Sequence, residues 1–177
     1  MVQLFQTTRL YKLTKWMLWS NLLLFVFYGS ITSYAAVSTI GNITESSGSN
    51  GVKRDGGIEI LGSQDLDILF KDTLETAQGR MKVRFLDETN LSLTEHSEVT
   101  IDEYIFDPNP TKSKLAMSFV QGTARFATGR LGLVPKENIV INTPTATIGV
   151  RGTDFTTTVD ELGRSLIILL PETECTI

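Results

Sequence analysis

Apolar and polar residues alternate along most of the chain beyond residue 57. The segments 81–85 and 91–93 each carry an apolar residue at every second position, and the polar segment 87–90 separates them. A period of two places every second side chain on the same face of a strand, whereas a helix requires a period near 3.6. The two segments and the turn between them therefore predict a β-hairpin.

The same alternation returns at 115–119 and 155–159, and a loop containing Pro108 and Pro110 interrupts it. Proline removes a backbone donor, so strand pairing is expected to stop at that loop. No segment beyond residue 36 shows a helical period. Short strands with frequent turn residues predict an all-β fold, namely an antiparallel β-sandwich or jelly-roll-like domain over 58–170. A short β-solenoid-like roll is the alternative.

The segment Ser165–Leu170 is apolar almost throughout instead of alternating. Such a segment predicts a strand that is covered on both faces or lies at the centre of a sheet. Because a strand of this kind normally needs a neighbour on each side, we interpret 171–177 as the start of a truncated C-terminal segment. On this interpretation Cys175, the only cysteine, pairs with a cysteine in the missing part.

The first 35 residues differ from the rest of the chain. They contain three basic and no acidic residues, an apolar stretch over 16–28, and small residues at Ser33 and Ala35. This order is typical of a secretory signal peptide that is cleaved after Ala35, and it predicts a periplasmic or extracellular protein. An uncleaved membrane anchor over 16–35 is the alternative, although a span needs about 20 apolar residues. We expect 36–57, rich in Gly and Ser, to be a flexible N-terminal segment; a loop between two short edge strands is the alternative for 43–57.

Charge and composition exclude several functions. The chain has 16 basic and 20 acidic residues; without the three basic residues of the signal peptide the balance is 13 minus 20, or −7. This acidity argues against nucleic acid as a partner. The single histidine, His96, lies in a polar stretch that predicts an exposed turn, and one His with one Cys cannot form a usual zinc site. We expect no enzyme, cofactor or metal site.

Two weaker alternatives come from the acidic residues. A weak calcium site between loops is one alternative, although EF-hand spacing is absent; its candidate ligands are Asp65 and Asp67, or Asp102, Glu103 and Asp107. Paired carboxylates on neighbouring strands are the basis for a third, less favoured function, a secreted hydrolase.

The most distinctive stretch of the sequence is 139–155. Its Pro144 fixes one backbone angle and ends a strand, and glycines permit close backbone approach or a positive φ. We interpret five residues of this stretch as a structural corner: Thr143, Pro144, Gly149, Gly152 and Phe155.

Three further residues of the stretch are candidate binding residues: Arg151, Thr153 and Asp154. Arg151 lies between two glycines, where its five donors are able to bind loop carbonyls or a carboxylate. Two roles stay open for it, a structural tie within the corner and a contact to a ligand.

The stretch 139–155 resembles the signature of FecR domains, in which a strand ending in Thr-Pro precedes a Gly-x-Arg-Gly-Thr-x-Phe turn. Segments 72–93 and 119–125 are similar to the first half and centre of that family. The resemblance implies a periplasmic β domain that often belongs to a membrane-crossing regulator of a sigma factor. Only 15 residues precede the apolar stretch here, so we expect a free-standing exported binding or scaffold module whose partner is an envelope protein or a glycan. A membrane-anchored sensor is the alternative.

Overall fold

The computed structural model describes residues 38–54, 57–149 and 154–170. Within these ranges the chain forms strands and short 3₁₀ turns and no α-helix. The strands are β1 (Thr39–Arg54), β2 (Ile58–Leu61), β3 (Asp67–Leu69), β4 (Thr73–Phe85), β5 (Asn90–Leu93), β6 (Ser97–Ile105), β7 (Lys114–Ala127), β8 (Ile139–Asn142), β9 (Thr147–Gly149), β10 (Phe155–Val159) and β11 (Ser165–Leu169). The 3₁₀ turns are Pro110–Lys112, Arg130–Leu133 and Lys136–Asn138.

All eleven strands join one sheet. β4 pairs with β1 along one edge, and β5 and β6 lie end to end along its other edge. β7 flanks β5 and β6, and beyond β7 the strands β8 and β10 again lie end to end. β2 and β3 pair with the outer edge of β1, whereas β9 and β11 lie outermost on the opposite side. β7 and β8 are parallel, and the other described pairs are antiparallel.

A line of glycines crosses the sheet where it bends, and we call Gly48, Gly79 and Gly122 the glycine crease. Gly48 lies opposite Gly79 in the β1–β4 register, and Gly122 of β7 has a φ of +94°. A Cβ atom on Gly122 would lie 2.4 Å from the backbone Cα of Ser97. Only glycine allows the neighbouring strands to approach this closely at a bend.

The sheet folds over at the crease so that its two halves face each other. The rings of Phe85 and Tyr104 stack with their centroids 5.5 Å apart. In a flat sheet these rings would be distant, because Phe85 lies at the end of β4 next to β5, whereas Tyr104 pairs with Leu115 near the far end of β6. The folded sheet confirms the prediction of an all-β, sandwich-like architecture.

The core fills the space between the two halves. Its residues occupy alternate positions of the long strands, as the period-two pattern predicts. The largest fully buried side chains are Phe119, Phe126, Phe155, Ile43, Ile68, Leu74, Met81, Leu91, Leu93, Ile101, Met117 and Leu131. The predicted hairpin is confirmed as β4 and β5, with Met81 opposite Leu93.

The N-terminal part of the domain differs from the expectation of a flexible segment over 36–57. Residues 39–54 form β1, which pairs with β4 over almost its whole length. Ile43 and Val52 are fully buried, and the Gly/Ser/Asn-rich stretch between them crosses the crease. The buried amide of Asn50 stabilises this bend by donating to Ser46 Oγ at 2.8 Å and to the Arg80 carbonyl at 3.1 Å. Turn-forming residues therefore mark a bend within a strand here.

The structure also corrects the expectation that Ser165–Leu170 is covered on both faces or lies at the centre of the sheet. Among the described residues β11 pairs with β10 alone, so it is an edge strand and not a central one. Its side chains are exposed on both faces, with Leu166 59% and Leu169 70% exposed.

The predicted signal peptide and the segment 171–177 lie outside the described residues. The part of the chain that the structure covers contains no helix long and apolar enough to cross a membrane.

Candidate functional site: the corner and the edge strand β11

The corner begins with a turn after β8. The Thr143 hydroxyl accepts a hydrogen bond from the Ala146 N–H at 3.0 Å and donates to the Ala146 carbonyl at 3.1 Å. The backbone N–H of Thr143 also donates to this carbonyl at 2.8 Å. Threonine side chains commonly close turns in this way, and the fixed φ of Pro144 favours the reversal. The turn directs β9 back along β8, with Ile148 opposite Ile141.

Hydroxyl groups join this turn to the start of β11. Ser165 Oγ donates to Thr143 Oγ1 at 2.7 Å, and Thr145 Oγ1 donates to the Gly163 carbonyl at 3.0 Å. A Cβ atom on Gly163, whose φ is +78°, would lie 3.3 Å from the Pro144 ring. The corner and the β10–β11 turn therefore form one connected structure.

The β10–β11 turn is closed by Asp160. Its carboxylate accepts hydrogen bonds from the backbone N–H groups of Leu162 at 3.0 Å and Arg164 at 2.9 Å, and from Arg164 Nε at 2.6 Å. The backbone and side-chain donors of Arg164 together lower the pKa of Asp160 below its usual value, because they stabilise the ionised form. This turn fixes the position at which β11 begins.

Asp154 and Phe155 lie where the corner leads into β10. Asp154 Oδ2 accepts from Arg125 Nη2 at 3.1 Å, and its backbone carbonyl accepts from the Leu170 N–H at 2.8 Å. The buried ring of Phe155 stacks on Phe126 with a centroid distance of 4.9 Å. Asp154 is thus engaged within the sheet, beside β7 and the end of β11.

Of the residues singled out from the sequence, the structure brings Thr143 and Pro144 together with the start of β11. Gly149 ends β9 opposite Val140, away from that contact. The other three residues, Arg151, Gly152 and Thr153, lie outside the described residues.

Among the described residues no strand pairs with the outer edge of β11, which presents both backbone groups and apolar side chains. Two hydrogen bonds mark the paired positions: the Leu170 N–H donates to Asp154 at 2.8 Å, and the Asp160 N–H donates to Arg164 at 3.1 Å. Because antiparallel bonding alternates along a strand, the backbone groups of Ser165, Ile167 and Leu169 face away from β10. The sequence indicated the strand but not its place at the edge.

A buried carboxylate, that of Asp87, binds the loop between β7 and β8, which precedes the corner. The sequence reasoning missed this residue. Asp87 is fully buried although it follows β4 in what was predicted to be a polar turn. Asp87 Oδ1 accepts from the Tyr104 hydroxyl at 3.0 Å, and Oδ2 accepts from Thr89 Oγ1 and from the Leu131 N–H at 3.3 Å. The Asp87 carbonyl accepts from the Arg130 N–H at 2.7 Å.

Tyr104 is the second member of this buried group. Its hydroxyl also accepts from the Asp87 N–H at 3.0 Å. Burial and the negative charge of Asp87 raise the pKa of Tyr104, because both oppose formation of a phenolate. The Asp-x-Thr spacing at 87–89 is the pattern in the sequence that could have indicated a side-chain-closed turn.

An open depression of about 630 Å³ lies at the end of the crease next to the β10–β11 turn. His96, Gln121, Glu161 and Arg164 line it. His96 is exposed and occupies a left-handed turn conformation with φ of 54° between β5 and β6. The described residues include no group of three or more His, Cys, Asp or Glu placed to hold a metal ion. Polar and charged groups therefore form much of the lining of this depression.

Comparison with known proteins gives one match. A family model described as FecR protein matches residues 72–171, which is more than half of the chain. The matched segment runs from Asp72, just before β4, to the residue after Leu170, and so includes the corner and β11. No curated protein and no solved structure matches the chain.

Proposed function

The chain belongs to the FecR family of envelope-associated sensors and regulators, and from this premise we propose that it is an exported, non-catalytic protein-binding module of the bacterial cell envelope. The observation that carries the proposal is the exposed apolar edge strand β11.

β11 combines two properties that soluble proteins usually avoid. A free strand edge offers unpaired N–H and C=O groups, and proteins normally protect it with charges, prolines or a bulge. Between Ser165 and Leu169 there is no charge and no proline, and its register with β10 is regular. Exposed apolar surface at an unpaired edge favours binding of a partner by strand addition.

The chemistry of this edge favours a protein over a glycan. Leu166, Ile167, Ile168 and Leu169 carry no hydrogen-bonding side-chain group, whereas a glycan presents many hydroxyls that need such partners. A protein strand supplies backbone donors and acceptors together with apolar side chains. We therefore choose the envelope protein from the two partner classes that the sequence left open.

Two acidic groups beside the edge strand, Asp154 and Asp160, support a binding role over hydrolysis. Asp154 is paired with Arg125, and Asp160 with Arg164 and two backbone N–H groups. A general acid needs a raised pKa, but the pKa of Asp160 is lowered. Asp160, whose ionised form Arg164 stabilises, is therefore poorly suited to donate a proton.

Export is the second element of the proposal, and it depends on the sequence of residues 1–35. Cleavage after Ala35 would release the domain into the periplasm or the medium. N-terminal sequencing of protein recovered from the envelope fraction tests this. A start at Ala36 is expected, whereas an intact Met1 in the inner membrane would instead support the alternative of a membrane-anchored sensor.

Site-specific photocrosslinking in the envelope tests the binding role. A photoreactive residue at Leu169, which is 70% exposed, is expected to give a discrete adduct with a protein. The matched control is Leu61, which is 74% exposed on β2, the edge strand at the other side of the sheet. Absence of an adduct at Leu169, or equal adducts at both positions, would count against β11 as the binding surface.

A further inference from the structure

We infer that the partner of β11 is a second copy of the same chain, joined by antiparallel pairing of the two β11 strands around a two-fold axis at Ile167. The inference rests on the proposed function, since it names the protein that the edge strand binds. Three features of β11 carry it: its backbone register, its side-chain rows and its lack of charge.

The backbone register is self-complementary. Ser165, Ile167 and Leu169 direct their N–H and C=O groups to the free edge, as the bonds at both ends of the β10–β11 ladder show. A two-fold axis at Ile167 places Ile167 opposite its own copy and Ser165 opposite Leu169 of the other chain. Every edge-facing group of β11 then has a partner, and each of these residue pairs exchanges two hydrogen bonds.

The side chains match in the same register. Leu166 and Ile168 lie on one face of the sheet, and Ile167 and Leu169 lie on the other, because neighbouring residues alternate. The axis at Ile167 brings Leu166 beside Ile168 of the second copy, so each apolar row continues across the interface. Cross-strand pairs of branched apolar residues stabilise a sheet.

The edge strands β11 and β2 differ in charge. No charged residue lies between Ser165 and Leu170, so two copies bring no like charges opposite each other in this strand. Arg164, next to the strand, is already paired with Asp160 at 2.6 Å. β2, the short edge strand at the opposite side of the sheet, carries Glu59 among its four residues, so self-pairing would bring one carboxylate from each copy into the interface. Self-association is therefore expected at β11 and not at β2.

The size of the surface sets the expected strength. A five-residue strand is shorter than the 20 to 30 residues per side of a standard protein interface, which buries about 800 Å² per partner. The dimer should accordingly be concentration-dependent and in equilibrium with the monomer. Sedimentation analysis of the exported chain over a range of concentrations should show the mass doubling as concentration rises.

A charge exchange at the axis provides a specific test. Ile167→Lys and Ile167→Glu each place two like charges opposite each other, so each variant alone is expected to remain monomeric at concentrations where the wild type is dimeric. An equimolar mixture is expected to restore the dimer, because the introduced ammonium of one chain then faces the introduced carboxylate of the other. Rescue on mixing cannot come from misfolding of either variant. Failure of the mixture to associate, with both variants folded by circular dichroism, would overturn the register.

A cysteine pair provides a second test that keeps the edge apolar. In a Cys175→Ser background, Ile167→Cys places two sulfur-bearing residues opposite each other, within the Cα separation of 4.4–6.8 Å that disulfides require. Ser165→Cys is the control, since in this register it lies opposite residue 169 and far from its own copy. Oxidation is expected to link Ile167→Cys chains and leave Ser165→Cys chains unlinked.

The outcomes distinguish this inference from the proposed function. If the wild-type protein stays monomeric and the Ile167→Cys variant forms no disulfide, the partner of β11 is not a second copy. If the photoreactive residue at Leu169 still captures a different envelope protein, the binding role stands with another partner. If it captures nothing, both proposals fail.

Discussion

Replacing Tyr104 with Phe tests the buried group that holds the connection between β7 and β8. The substitution removes one hydroxyl and keeps the aromatic ring that stacks on Phe85. It leaves two buried groups of Asp87 without their partner: the N–H, which donates at 3.0 Å, and Oδ1, which accepts at 3.0 Å. Each buried polar group that loses its partner costs about 1–3 kcal/mol of unfolding free energy. Removal of the hydroxyl offsets part of this cost, because the hydroxyl no longer has to be desolvated on folding. We expect a loss of about 3 kcal/mol in unfolding free energy.

The same variant makes a prediction about pH. The pKa of Tyr104 is raised in the folded state, so its stabilising contribution is complete below the unfolded value of about 10. Above that pH the unfolded chain releases the proton more readily, and the contribution decreases as pH rises towards the folded value. The difference in stability between wild type and Tyr104→Phe should therefore shrink above pH 10.

Urea unfolding followed by circular dichroism at pH 7 and at pH 11 measures both effects. A double-mutant cycle with Asp87→Asn is the control, since the two substitutions remove the same interaction and should be less than additive. A loss below about 0.5 kcal/mol, typical of surface substitutions, or a difference that does not change with pH, would refute the reasoning.

Three further predictions follow from the crease and the corner. Gly122→Ala should destabilise the fold by several kcal/mol in urea unfolding, because the new Cβ would lie 2.4 Å from the Ser97 backbone. The control Gly57→Ala also has a positive φ but no atom within 4 Å, so it should cost only about 1 kcal/mol. Equal losses in the two variants would contradict the close approach of Gly122 to Ser97. Ser165→Ala should speed amide exchange at the start of β11, since the hydroxyl that bonds Thr143 is lost; unchanged exchange would argue against the link. The pKa of Asp160 is lowered in the folded state, so the stabilisation of the turn by its carboxylate should be complete above the unfolded pKa of about 4. This stabilisation should be lost as pH falls through the folded pKa, and amide exchange at Arg164 should become faster. Asp160→Asn should remove this pH dependence.

Alternation along the sequence was sufficient to predict the fold class and the central hairpin. Met81, Val83 and Phe85 face the core because period two determines which side chains share a face. The same local rule cannot show how a strand bends. Gly48 and Asn50 look like loop residues in the sequence, yet they lie within β1 where it crosses the crease. The bend depends on Gly79 of β4, 31 positions away from Gly48, so no local pattern reveals it.

The site was predictable in part. The match of a family model to residues 72–171 confirms the resemblance that was based on the stretch 139–155. Its contact with Ser165 depends on the β10–β11 turn and could not be read from spacing. The burial of Asp87 was hidden for another reason: acidic residues in turns are usually exposed, and only the partners from β6 and the loop after β7 make burial favourable.

The pairing of β1 with β4 has a consequence for how the domain folds and how it can be divided. The family match begins at Asp72, after β1, yet β1 covers the whole outer edge of β4 and crosses the crease with it. Because β1, β4 and β7 each run through both halves of the folded sheet, neither half has a core that is independent of the other. The domain should therefore unfold in a single cooperative transition, and a fragment cut at Asp72 should aggregate through the bared edge of β4. We therefore expect the smallest folding unit of this chain to include β1, which precedes the segment by which its family is recognised.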